Sequence, residues 1–144
     1  MGRFMSIAVS QLVERLTEYG LVADGELAKW LSENSAGYAD ALLKHLRAQG
    51  KLTDYQCEAV GAQPPLPIVL GNYIVLDRIG AGGMGQVLKA EHRRMKRLAA
   101  IKILADELTD SAEAIERFHR EVEAAARLSH PNIVITHDAD ECDG

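Results

Sequence analysis

Apolar residues at the start of the chain recur at helical spacing. Ile7, Val9, Leu12, Val13 and Leu16 fall on one stripe, and Gly20 is a natural stop. Leu27, Trp30 and Leu31 predict a second helix. Ala39, Leu42, Leu43 and Leu46 predict a third, ended by Gly50. Thr53-Asp54-Tyr55-Gln56 has the Thr-x-x-Gln form of a capping box and predicts a fourth, short helix. The stretches Tyr19–Asp24 and Gln49–Asp54 are faintly alike, as two copies of one helix–turn–helix unit would be. In this bundle Trp30 and Tyr38 are expected in the core. The region carries no catalytic constellation, so partner docking or self-association is its functional reading.

The pattern changes after Pro64-Pro65-Leu66-Pro67. Prolines remove backbone donors and disfavour helix at the residue before them, so residues 64–70 read as a stiff linker between a helical unit (1–63) and a second unit (71–144). Beyond it, Tyr73–Ile79, Val87–Ala90 and Leu98–Leu104 read as strands. Ser111–Leu128 reads as helix, and Ile133–Thr136 as strand again. Strands in succession followed by one helix predict an α+β layout with an antiparallel sheet of about four strands, not alternating βαβ.

Composition narrows the class. The chain has 144 residues, 47% hydrophobic and 26% charged, with a net charge of −5 that is not concentrated in either half. That is ordinary for a globular protein and gives no bulk attraction to nucleic acid or membrane. Cys57 and Cys142 match neither a disulfide framework nor a zinc spacing and read as reduced thiols. No apolar run approaches the roughly 20 residues of a membrane helix, and no signal-peptide core is present. Met1–Ser6 fits the short myristoylation pattern, which needs a eukaryotic host. A cytoplasmic location is the expectation.

The chemistry lies at Ile79-Gly80-Ala81-Gly82-Gly83-Met84-Gly85-Gln86-Val87. G-x-G-x-x-G alone is a weak signal of phosphate binding. A dinucleotide turn runs directly into a helix, whereas Gln86–Ala90 reads as strand. A P-loop needs Lys and Ser/Thr after its last glycine, and the chain has Gln86-Val87. What remains is a glycine hairpin lying over phosphates, with inward amides and no Cβ in the way. Its charge would come from Lys102, which closes Ala99-Ala100-Ile101 on the next strand. An unpaired ammonium among apolar neighbours is costly, so Lys102 needs an anion. At about 100° per residue, Glu121 falls about 60° from Phe118 and about 40° from Ala125. It is the acidic residue at the edge of the stripe made by Ile115, Phe118, Val122 and Ala125, and the natural partner for Lys102.

Gly80-x-Gly82-x-x-Gly85-x-Val87, Ala100-Ile101-Lys102, Arg117-Phe118-His119-Arg120-Glu121 and His130-Pro131-Asn132-Ile133-Val134 together closely resemble the N-terminal lobe of protein kinases. They look most like the bacterial eukaryotic-like (Hanks-type) serine/threonine kinases, over residues 71–144. The resemblance implies ATP, with magnesium in the complete kinase, and a protein substrate. It implies that Ile79–Gly85 cover the phosphates, that Val87 and Ala100 sandwich adenine, and that Lys102 binds the α- and β-phosphates while paired to Glu121.

The H-R-D-x-x-x-x-N loop and the D-F-G motif of that family do not occur in these residues. The expectation is a chain inactive on its own, holding no ATP tightly and no metal. The alternative is a non-catalytic dimerisation or docking module. An open sheet edge and a bare apolar face would favour a homo-dimer or strand exchange. Glu91–Arg97 is basic but lacks interleaved aromatics and reads as an exposed turn, not a nucleic-acid site. Asp138–Asp143 lacks the glycine and terminal glutamate of an EF-hand and reads as a solvated turn.

Overall fold

The computed structural model describes residues 7–34, 37–83, 85–132, 136 and 139–141. Along them run α1 (Val9–Glu18), α2 (Asp24–Glu33), α3 (Ala39–Ala48), α4 (Asp54–Gly61), β1 (Val69–Leu70), β2 (Tyr73–Gly82), β3 (Gly85–His92), β4 (Leu98–Leu104), α5 (Asp106–Thr109) and α6 (Ala112–Ala126). The strands form one antiparallel meander in the order β1-β2-β3-β4.

α1 and α3 end in the same way. Gly20 and Gly50 take φ of +66° and +69°. The next amide then reaches back to the last turn, Leu21 N to Leu16 O at 3.1 Å and Lys51 N to Leu46 O at 2.9 Å. Val22 and Leu52 follow and are buried. The faint likeness of the two sequence stretches thus corresponds to one turn geometry used twice. The copies differ at the next helix start. Ala23 offers no side-chain cap to α2, whereas Thr53 and Gln56 form a full capping box on α4.

Leu12, Leu16, Leu42 and Val60 are sealed, and so are Ile68, Val75 and Leu88 beyond the prolines. All belong to one hydrophobic cluster. Residues 64–70 therefore pack: Ile68 is 2% exposed, Val69–Leu70 pair with β2, and Tyr55 donates from its hydroxyl to Pro67 O at 2.8 Å. Arg15 crosses the bundle and donates to the last carbonyls of α4, Val60 O at 2.6 Å and Ala62 O at 2.8 Å. Trp30 is in the core at 7% exposure, but Tyr38 is 78% exposed. Tyr38 is the extended N-cap residue of α3, one step outside the periodic stripe, and this places it in solvent rather than in the expected core.

The register assigns the sheet faces. Val87 lies opposite Lys102, Lys89 opposite Ala100, and Leu88 opposite Ile101. Opposed residues share a face and neighbours alternate. Leu88 and Ala90 are buried on the helical side together with Val75. Val87, Lys89, Ala100 and Lys102 therefore share the other face. α6 opens on Ser111, whose Oγ accepts from Ala114 N at 3.2 Å. Its stripe of Ile115, Phe118, Val122 and Ala125 is half-buried. Of the expected last strand, Ile133–Ile135 lie outside the described residues and Thr136 is not in a strand. Among the described residues, no helix is long and apolar enough to cross a membrane.

Candidate functional site

Glycines at the β2–β3 tip let the hairpin close tightly, with Gly82 opposite Gly85. Their reasons differ. Gly85 takes φ +144°, and a Cβ there would strike Ile103 O and come within 2.9 Å of Ala105 N. The hairpin passes so close to β4 that the fold itself requires glycine. At Gly80, Gly82 and Gly83, a Cβ would meet nothing within 4 Å. The backbone there borders open space.

That space is a cleft of about 430 Å³ lined by Gly80, Ala81, Gly82, Gly83, Gly85, Gln86, Val87 and Lys102. It lies in the roughly 300–1,000 Å³ range of small-molecule sites. Met84 falls outside the described residues. Ile79 is 60% exposed where β2 slips register, and neither it nor Ala100 lines the cleft. Ala100 does lie on the same sheet face as Val87, opposite Lys89.

Lys102 Nζ donates to Glu121 Oε1 at 2.9 Å. The two side chains are 41% and 53% exposed. This corrects the reason given for the pair: Lys102 does not sit in an apolar environment. Ile101 and Ile103 turn toward the helical side and Lys102 turns away from it, into solvent. An ion pair this exposed contributes at most about 1 kcal/mol to stability, so its importance is positional. It fixes the ammonium at the mouth of the cleft. Glu113 and Glu116 are engaged within α6, with Arg117 at 3.6 Å and with Arg120 respectively. After the helix, His130 Nδ1 accepts from Asn132 N at 3.1 Å and closes a turn.

The basic run is an exposed turn. His92 Nδ1 accepts from Arg94 N and Met95 N, Lys96 lies 3.6 Å from Glu91, and Arg93 reaches Tyr19 O at 3.3 Å. Among the described residues, no group of three or more His, Cys, Asp or Glu is placed to hold a metal ion. Of the acidic stretch 138–143, residues 139–141 are described, and there Glu141 N donates to Asp140 Oδ1 at 2.8 Å. Cys57 is a buried free thiol; Cys142 is not described.

Sequence reasoning missed the groups behind the turn. Arg78 lies over the Tyr55 ring, 5.7 Å from Cζ to centroid, and its Nε donates to Gln86 Oε1 at 3.1 Å. Nothing in the order of residues links position 55 to 78. The one signal present was the capping box that fixes where α4 begins.

Residues 73–142 match the family described as protein kinase domain. Serine/threonine-protein kinase PknF of Mycobacterium tuberculosis is 43% identical over 72 residues, 50% of this chain and 15% of PknF. PknD of the same species is 39% identical over 83 residues, 58% of this chain and 12% of PknD. A probable serine/threonine-protein kinase of Clostridium perfringens is 46% identical over 67 residues, 46% of this chain and 10% of that protein. Among solved structures, the kinase domain of M. tuberculosis PknI matches with 35% identity over 54% of this chain and 32% of that one, at a TM-score of 0.45. The chain spans only 10–15% of the length of these curated relatives. Over residues 73–142 the chain is thus similar to part of a protein kinase domain, and the relatives it resembles there are bacterial serine/threonine-protein kinases.

Proposed function

We propose that this chain supplies the phosphate-holding part of a serine/threonine kinase ATP site. The observation that carries the reading is the Lys102–Glu121 pair at 2.9 Å beside the cleft under the glycine turn. Gly80 and Gly82 border open space, so a phosphate can approach their backbone. Gly85 holds the hairpin to β4, Val87 and Ala100 face the adenine, and Lys102 meets the α- and β-phosphates. In a kinase, ATP supplies the transferable γ-phosphoryl group. For magnesium, the described residues offer no group of three or more His, Cys, Asp or Glu that could hold it. Residues 1–63 form a helical unit joined to this lobe by 64–70.

The base that accepts the substrate hydroxyl proton is not among these 144 residues, so this chain alone transfers no phosphoryl group and holds Mg·ATP weakly or not at all. Titration calorimetry giving a low-micromolar dissociation constant would count against that. In a protein that continues this reading frame through a catalytic loop, Lys102→Met lowers phosphoryl transfer roughly a hundredfold or more. An unchanged rate removes the ATP-site reading. It would favour the alternative, a non-catalytic docking module that works through residues 1–63.

A further inference from the structure

β2 slips register against β3 twice, around Leu76 and around Ile79. At the first slip, two β2 carbonyls are taken by α4: Thr53 Oγ1 donates to Leu76 O at 2.6 Å and Gln56 Nε2 donates to Val75 O at 2.9 Å. These are the capping-box residues. Thr53 Oγ1 also accepts from Gln56 N, and Gln56 Oε1 accepts from Thr53 N. Gln56 is 4% exposed, so its bond to Val75 O is shielded from water, while Thr53 is half-buried. One pair of side chains both opens the helix and grips the strand.

The grip continues toward the glycine turn. Tyr55, which lies between those two residues in the sequence, is held by its bond to Pro67 O and carries the Arg78 guanidinium on its ring. Arg78 lies just ahead of the second slip and donates to Gln86, the first residue after Gly85. Both legs of the hairpin are thereby tied to one helix terminus.

We infer that Arg78 is a positioning residue: bridging Tyr55 and Gln86, it fixes the height of the glycine turn over the cleft and couples that height to the helical half. The importance of that height for nucleotide binding rests on the function proposed above; the strut itself does not.

Hydrogen–deuterium exchange on the 144-residue chain tests it. Arg78→Met keeps an unbranched stem and removes the charge and donors. It should speed exchange across residues 80–87 by about tenfold, leaving α1 and the centre of β4 unchanged. Gln86→Ala should give the same local effect, and the double variant should be no faster than either single one. Gln86→Glu, which keeps an acceptor for Arg78, should stay slow. Unchanged exchange over 80–87 in Arg78→Met overturns the strut, and so does an increase spread evenly over the chain. No nucleotide enters this readout, so its failure is separate from a failure of the Lys102→Met test.

Discussion

Ile103 O and Ala105 N lie where a side chain at Gly85 would begin, and the backbone there is at φ +144°. Gly82, across the same tight turn, faces open space. The two glycines therefore predict different outcomes on substitution. Gly85→Ala must push the hairpin off β4 and hold an unfavourable φ, at a cost of about 2 kcal/mol or more. Gly82→Ala should change stability by less than about 0.5 kcal/mol, its effect falling on ligand approach instead. Urea unfolding of both variants checks this, and equal losses would remove the distinction. The sequence shows a run of glycines and a need for close approach, but not which glycine the fold demands, because that depends on how near β4 passes. Lys102 and Glu121 show the converse. Helical angles locate the partner, while the reason for pairing lies in strand alternation, which turns Lys102 away from the core.

At the scale of elements, α4 carries two groups whose titration burial disturbs. Tyr55 and Cys57 have pKa values pushed above their ordinary 10.0 and 9.0, chiefly by loss of solvation, with Arg78 and Arg47 respectively pulling the other way. A folded value above the unfolded one means that the folded chain holds the proton more tightly. The associated stability is complete below about pH 9 and is lost as pH rises through the folded values. The urea midpoint should thus be flat near neutrality and fall in alkali. It should fall less steeply in Cys57→Ala combined with Tyr55→Phe; an equally steep fall would sink the assignment. α4 also marks the limit of sequence reading for elements. Five helices, α1–α4 and α6, were legible from their period and caps, and β2, β3 and β4 from apolar runs. β1 has two residues and α5 four, too short to show a period. The register slips in β2 leave no trace either; the first lies where α4 sends a pair of donors to the strand's carbonyls.

For the whole molecule, the proline-rich segment is where chain order and packing diverge. Three prolines predict a spacer, yet Ile68 is buried between the halves and the cluster continues from α1 to β3. A spacer reading treats residues 1–63 as a separable attachment; a shared core makes them the second layer of the sheet. Ile68, Val75 and Leu88 are 2%, 0% and 0% exposed. Uncovering such side chains costs up to about 1.5–3 kcal/mol each, and three together approach the roughly 5–15 kcal/mol that stabilises a typical domain. The intact chain should therefore unfold in one cooperative transition, seen alike by Trp30 fluorescence, which reports the helical half, and by amide signals of β3 and β4. A fragment of residues 68–144 should lose dispersed amide resonances even though it keeps every strand. If the fragment stays folded, or if the two probes separate by more than their error, the halves are independent. The helical unit would then be an attachment beside the phosphate turn rather than its support.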